Sequence, residues 1–101
     1  MKKTEFIYKF ADLHEDEKIL RIDGFDEACI GWTGSWSGNE RPIRLVYDEN
    51  KIIEILIEQG MDQEEAIEYY DFNIAGAYLG VNTPVIMSSW HDHVTWQDQV
   101  S

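Results

Sequence analysis

The carboxylates of residues 60–80 are the side chains of this chain best placed to do chemistry. Four of them, Glu64, Glu65, Glu68 and Asp71, occur in a stretch that contains no Lys or Arg. At about 3.6 residues per helical turn, Glu64, Glu68 and Asp71 share one face of a helix, and Glu65 lies on its flank. Such a face has three possible interpretations: a solvated helix surface, a docking surface for a basic partner, and a metal or acid–base site.

A row of carboxylates on one exposed helix face favours binding over catalysis. Catalytic carboxylic acids need opposing groups and shifted pKa values, and a row of this kind provides neither. We therefore assign no catalytic residue and no metal ligand. If the four carboxylates have a function beyond solvation, we expect them to contact a partner.

Two tryptophans, a tyrosine and an asparagine form an alternative candidate site. Trp32 and Trp36 would lie on the same side of a regular strand, either in the core or as an exposed stacking platform. Asn73 follows Ala66 and Tyr70 at helical spacing. We expect it to be buried and hydrogen-bonded to the backbone of a neighbouring strand or loop. A pocket lined by Trp32, Trp36, Tyr70 and Asn73 would bind a small molecule or a substrate.

The other side chains that could bind a metal are sparse. His91 and His93 are spaced i, i+2 and would face the same side of a strand, but a closed zinc site needs more ligands. We interpret them as part of a polar tail. Cys29 has no sequence partner that would activate it, so we expect a small buried apolar residue. No cofactor and no metal are predicted.

Composition and charge restrict the class of protein. The chain has 101 residues, 44% of them hydrophobic, and one cysteine, which predicts a single folded domain without an intrachain disulfide. The formal net charge is −12, and residues 52–101 contain no Lys or Arg. This charge argues against direct binding to nucleic acid or to an anionic membrane, and it favours a basic partner. No signal peptide or membrane-spanning run is recognisable, so we predict a cytoplasmic protein.

Hydrophobic spacing predicts the elements that would position these side chains. Extended, mostly alternating segments predict strands at 4–10, 18–23, 28–36, 41–47 and 81–90. Helical spacing predicts a helix over 49–59, with Asp48 as its N-cap. A capping box of Asp62 and Glu65 opens a second helix, which stops near Gly80.

The predicted fold is α+β: a small antiparallel sheet of about four or five strands with an αα-hairpin packed on one face. Residues 1–90 would form this single domain, and residues 91–101 would be a polar tail with partial order. Phe72 and Leu79 lie near the acidic side of the second helix, which makes its end apolar nearly all round. Either another part of the chain covers them, or they form a homodimer interface.

The segment EEAIEYYDFNIAGAYLGVNTP, from Glu64 to Pro84, carries a resemblance. Together with the preceding FDEACIGW and RLVYDENKIIEILIEQGMDQ, it resembles small uncharacterised proteins encoded in bacteriophage genomes. The resemblance covers about residues 18–87, and it implies one domain in a phage setting. It brings no activity and no catalytic residue with it.

The function expected from the sequence is that of a small acidic, non-enzymatic binding protein. In an infected host cell it would inhibit or modulate a basic, nucleic-acid-handling host protein through the acidic helix face. One alternative is a small-molecule-binding domain or small enzyme with a pocket between sheet and hairpin. The other is a dimerising structural module.

Overall fold

Residues 2–36 and 38–88 are described by the computed structural model of the chain. They form an α+β fold of three α-helices and one three-stranded sheet, as the sequence predicts for the fold class. In chain order the elements are α1 (Lys3–Leu13), β1 (Cys29–Thr33), β2 (Arg44–Asp48), α2 (Glu49–Glu58), α3 (Gln63–Tyr70) and β3 (Val85–Met87). A 3-10 turn, Asp26–Ala28, precedes β1, and a π-helical turn, Asp71–Ala75, follows α3. The polar tail predicted for 91–101 lies outside the described residues.

The central strand of the sheet is β2, in the order β1-β2-β3. β1 pairs with it antiparallel, with an irregular register between Cys29 and Gly31. β3 pairs with it parallel, and Val85 lies opposite Val46. The sheet of the described residues is therefore mixed and smaller than the expected antiparallel sheet. A parallel pair needs a long crossover connection, and the α2–α3 hairpin lies within that connection.

The strand predicted for residues 4–10 is wrong, because this segment lies within α1. Ile7 and Phe10 are the buried side chains of α1, and their i, i+3 spacing puts them on one helical face. Phe6 and Tyr8, which complete the apparent alternation, are exposed. In residues 4–10, the alternation of apolar and polar side chains therefore does not indicate which of them face the core.

The strand predicted for residues 18–23 is also wrong, because these residues form neither helix nor strand. The backbone N–H of Ile22 donates to the hydroxyl of Tyr47 at 2.9 Å. Arg21 forms ion pairs with Asp23 at 2.9 Å and with Asp26 at 3.2 Å. Side chains therefore hold this segment in place, where a strand would be held by a backbone ladder.

The two helices predicted after residue 48 are present. Ile52 and Leu56 are the buried side chains of α2, which ends in a turn where Gly60 has a φ of 111°. The capping box of α3 is confirmed: Glu65 N donates to Asp62 Oδ1 at 2.9 Å, and Asp62 N donates to Glu65 Oε1 at 3.3 Å. The second helix is shorter than predicted, because the α-helical pattern stops ten residues before Gly80 and a π-helical turn follows.

One hydrophobic core joins the sheet, the 3-10 turn and the three helices. Strand β2 contributes Leu45 and Tyr47 to this core, as the alternation of residues 43–47 predicts. The other buried members are Ile7, Phe10, Phe25, Ala28, Cys29, Ile52, Leu56, Ala66 and Tyr70. Cys29 is thus a small buried apolar residue, as expected.

Replacement of Tyr47 by Phe tests the bond that fixes the 18–23 segment. The substitution removes the acceptor for the part-buried Ile22 N–H, so we expect a loss of about 1–2 kcal/mol in the free energy of unfolding. Urea denaturation of both proteins measures this loss. Tyr8→Phe is the matched control, since Tyr8 is exposed. Equal stability of Tyr47→Phe and the wild type would show that this hydrogen bond does not hold the segment.

Candidate functional site

The acidic face of α3 consists of Glu64, Glu65, Glu68 and Asp71, and all four residues are exposed. Its orientation follows from the opposite side of the helix, where Ala66 and Tyr70 are buried in the core. Side chains three or four residues apart share a helix face, so burial of Ala66 and Tyr70 leaves the acids directed outward. The first turn also places Glu64 and Glu65 at the positive end of the helix dipole, which stabilises them there.

No cation of residues 2–36 and 38–88 forms an ion pair with the acidic face. The ion pairs in this part of the chain join Arg21 to Asp23, Arg21 to Asp26, and Lys51 to Glu54. Like charges at helical spacing repel one another by a few tenths of a kcal/mol per pair, roughly. The acidic face is therefore an uncompensated negative surface within the described structure.

The apolar end of the hairpin consists of Phe72, Tyr78 and Leu79. Phe72 is 88% exposed and Leu79 is 62% exposed. Nothing in the described part of the chain covers them, so the cover by another part of the chain that the sequence allows is not found among residues 2–36 and 38–88. A surface hollow of about 320 Å³ connects this end to the acids, since Glu65, Glu68 and Phe72 all line it.

Asn73 is exposed, which corrects the prediction that it is buried on the apolar face of the helix. Its Nδ2 donates to the carbonyl of Tyr69 at 3.1 Å, within its own turn. The reason is the change of hydrogen-bond pattern after Tyr70, because a π-helical turn pairs residues five apart and rotates the following side chains out of the α-helical register.

The four residues of the alternative pocket do not come together. Trp32 is 47% exposed and lines a groove beside α1, whereas Trp36 is 72% exposed and lines a hollow near Arg44. Tyr70 and Asn73 share a third cavity of about 470 Å³ beside Arg21 and Thr83. Neither tryptophan is a core residue, and no single pocket described for residues 2–36 and 38–88 contains all four side chains.

Tyr70 has a structural role between the two helices of the hairpin. Its hydroxyl donates to Glu49 Oε2 at 2.9 Å. Burial, followed by the hydrogen bond and charge of Glu49, raises the pKa of Tyr70 above its usual value. The phenol is therefore neutral at physiological pH, and it fixes the rotation of α3 against the start of α2.

No cluster of three or more His, Cys, Asp or Glu side chains with metal-binding geometry occurs in residues 2–36 and 38–88. His91 and His93 lie outside that range. Burial raises the pKa of the Cys29 thiol, which keeps it protonated and unreactive. In the same part of the chain, no helix has the length and apolarity needed to cross a bilayer.

A groove between α1 and β1 is not predicted by the sequence. Its lining includes Lys3, Phe6, Phe10 and Trp32, and the rings of Phe10 and Trp32 have centroids 5.2 Å apart. The alternation of residues 4–10 predicts a strand. The predicted fold therefore lacks helix α1, which forms one wall of this groove. The spacing of Ile7 and Phe10 is the signal that would have revealed it.

No family model, curated protein or solved structure matches the chain. The resemblance to phage-encoded proteins, carried by residues 64–84, stays a prediction.

The capping box gives α3 a pH-dependent stability that can be measured. The backbone N–H of Glu65 holds the pKa of the Asp62 carboxyl below its usual value. A pKa that is lower in the folded state stabilises the fold above the unfolded pKa, and this contribution is lost as pH falls through the folded pKa. The stability difference between wild type and Asp62→Ala should therefore be full at neutral pH and should shrink below pH about 4.

Asp62→Asn is the control for this measurement, because Asn also caps a helix but does not titrate. Its advantage over Asp62→Ala should persist at acidic pH. The urea midpoints of the three proteins at neutral and acidic pH measure these stability differences. A difference between wild type and Asp62→Ala that is the same at both pH values would contradict the role of the Asp62 carboxylate.

Proposed function

We propose that this chain is a non-enzymatic binding protein that engages a basic partner through the acidic face of α3. The observation that carries the proposal is that the face is exposed and has no cationic counterpart within the described residues, while the exposed Phe72 lies beside it. Such a surface offers negative charge and an apolar anchor together.

Electrostatics would govern how fast the partner arrives. The second half of the chain has no Lys or Arg, so the field around α3 is negative and is not offset by nearby cations in the sequence. A field of one sign raises the association rate with an oppositely charged partner and is weakened by salt. Binding should therefore be fast at low ionic strength and strongly dependent on it.

Apolar contact would govern how long the complex lasts. Aromatic side chains at the centre of an interface supply much of its binding energy, and charged groups at the rim contribute mainly to rate and specificity. The hollow lined by Met61, Tyr69 and Phe72 is bordered by Glu65 and Glu68. An apolar side chain of the partner would fit here, with Lys or Arg residues on either side.

A nucleic-acid-handling host protein in the cytoplasm is the partner class that this surface suits best. Such proteins carry basic grooves that bind phosphates. The carboxylates of α3 would occupy such a groove in place of the phosphates and would compete with nucleic acid. The resemblance to phage-encoded proteins supports an inhibitor or modulator of this type.

A homodimer is the second candidate, because Phe72 and Leu79 are exposed. Isologous contact through this end would bring two acidic faces close together, in a protein of formal net charge −12. That repulsion disfavours the dimer relative to a basic partner.

Charge reversal of the acidic face tests the proposed function. We expect Glu64→Lys with Glu68→Lys to reduce capture of a basic protein from bacterial lysate by about tenfold or more at low salt, because two lysines cancel the charge of the two remaining carboxylates of the face. Immobilised protein is incubated with lysate at low and high salt, and retained proteins are quantified by mass spectrometry. The expected pattern is a nucleic-acid-handling protein that is retained at low salt and lost at high salt.

The matched control is Glu15→Lys with Asp16→Lys, which makes the same change in net charge on the exposed turn that follows α1. This control should retain the partner nearly as well as wild type. Circular dichroism checks that both variants are folded. Equal capture by the α3 variant and the wild type would refute the acidic face as the binding site.

A further inference from the structure

The groove between α1 and β1 is concave, apolar and open to solvent. It has a volume of about 230 Å³. Its rim contains the partly exposed side chains of Phe6, Ile30 and Trp32. Its floor reaches the core, since the buried Phe10 and Cys29 also line it. Large apolar side chains held around a hollow form the usual surroundings of a small apolar ligand.

The backbone of β1 leaves this hollow accessible. Gly31 lines the groove, and a Cβ atom built on it would meet no other atom within 4 Å. The pairing of β1 with β2 is irregular at this position. Space beside a glycine in a strand is typical of a site where another group approaches the backbone closely.

Lys3 is the charged side chain in the lining of the groove. Its Nζ donates one hydrogen bond to the carbonyl of Glu27 at 2.7 Å, which holds the ammonium group near the 3-10 turn. A lysine ammonium has three N–H donors and no acceptor. Within residues 2–36 and 38–88, two donors therefore remain for a ligand, and they suit an anion.

We propose that this groove binds a small apolar monocarboxylate, with its carboxylate on Lys3 and its apolar body between Phe6 and Trp32. The volume is below the range of about 300–1,000 Å³ that holds drug-sized ligands, so the apolar body has the size of one ring or a short acyl chain. The site is formed by α1 and β1 and shares no residue with the acidic face. It does not depend on the proposed function.

The total charge of the protein makes the proposal sharply testable. A net charge of −12 by itself attracts cations and repels anions. A preference for an anionic ligand must therefore arise from local groups at the site, and Lys3→Gln tests whether the ammonium group is the one responsible. Octanoate, octylamine and octanol have the same apolar chain and differ in the charge of the head group.

The experiment measures the binding of these three probes to the full chain by calorimetry, with ¹H–¹⁵N chemical shifts to locate the site. We expect octanoate to bind about fivefold or more tighter than octylamine and octanol, as one charge-assisted hydrogen bond would produce. The shifts should centre on Gly31 and its neighbours in α1 and β1.

Two pairs of variants isolate the contributions of the ammonium group and the ring. Lys3→Gln should remove the preference for octanoate, whereas Lys9→Gln should keep it, because Lys9 is on the same helix but does not line the groove. Phe6→Ala should weaken all three probes, whereas Leu13→Ala, an exposed control on α1, should not. These sites are exposed, so the variants should fold.

Three results would each overturn the proposal. They are octylamine binding as tightly as octanoate, an octanoate preference that survives Lys3→Gln, and shifts that do not involve the groove. None of them bears on the acidic face, so the two proposals fail or succeed separately.

Discussion

The complete burial of Tyr47 is the constraint on which the rest of the structure depends. Its ring lies in the core on the central strand, and its hydroxyl accepts a hydrogen bond from Ile22 N. Burial is the main cause that raises the pKa of Tyr47 to about 12, so the phenol is neutral at physiological pH. Through this side chain β2 holds the irregular segment that precedes the 3-10 turn, and through its backbone it pairs with both other strands.

The exposure of the acidic face follows from the packing around β2. Helix α2 begins at Glu49, directly after the strand, and Glu49 accepts the hydroxyl hydrogen bond of Tyr70. This contact and the burial of Ala66 fix the rotation of α3. With one side committed to the core, the carboxylates must face solvent. The repulsion among them costs little in water, and it leaves a charged surface that a basic partner could neutralise.

Local signals in the sequence predicted the part of the fold that contains this surface. The capping box of Asp62 and Glu65 and the isoleucine spacing of α2 act within a few residues, so their structural result does not depend on distant contacts. The exposure of Glu64 and Glu68 could be predicted for the same reason. The alternation of β2 was equally informative, because one of its faces is buried.

Features that depend on distant contacts were not predictable in this way. Residues 4–10 alternate, yet Ile7 and Phe10 also fit a helical face, and packing against the 3-10 turn and sheet decides between the two. The environment of Trp32 depends on that helix, so its groove was missed as well. Asn73 does not lie on the predicted buried face, because the helix changes to a π-helical pattern after Tyr70. The spacing of apolar residues does not indicate this change.

The central claim is that charge on α3 brings a basic partner to this protein. The most direct test is the association rate constant with a captured partner, measured by stopped-flow fluorescence from about 0.01 M to about 0.15 M salt, over which the Debye length contracts from about 30 Å to about 8 Å. The rate constant should fall by about tenfold or more, and charge reversal of Glu64 and Glu68, which cancels the net charge of the acidic face, should weaken this dependence. A rate constant that does not change with salt would contradict the claim.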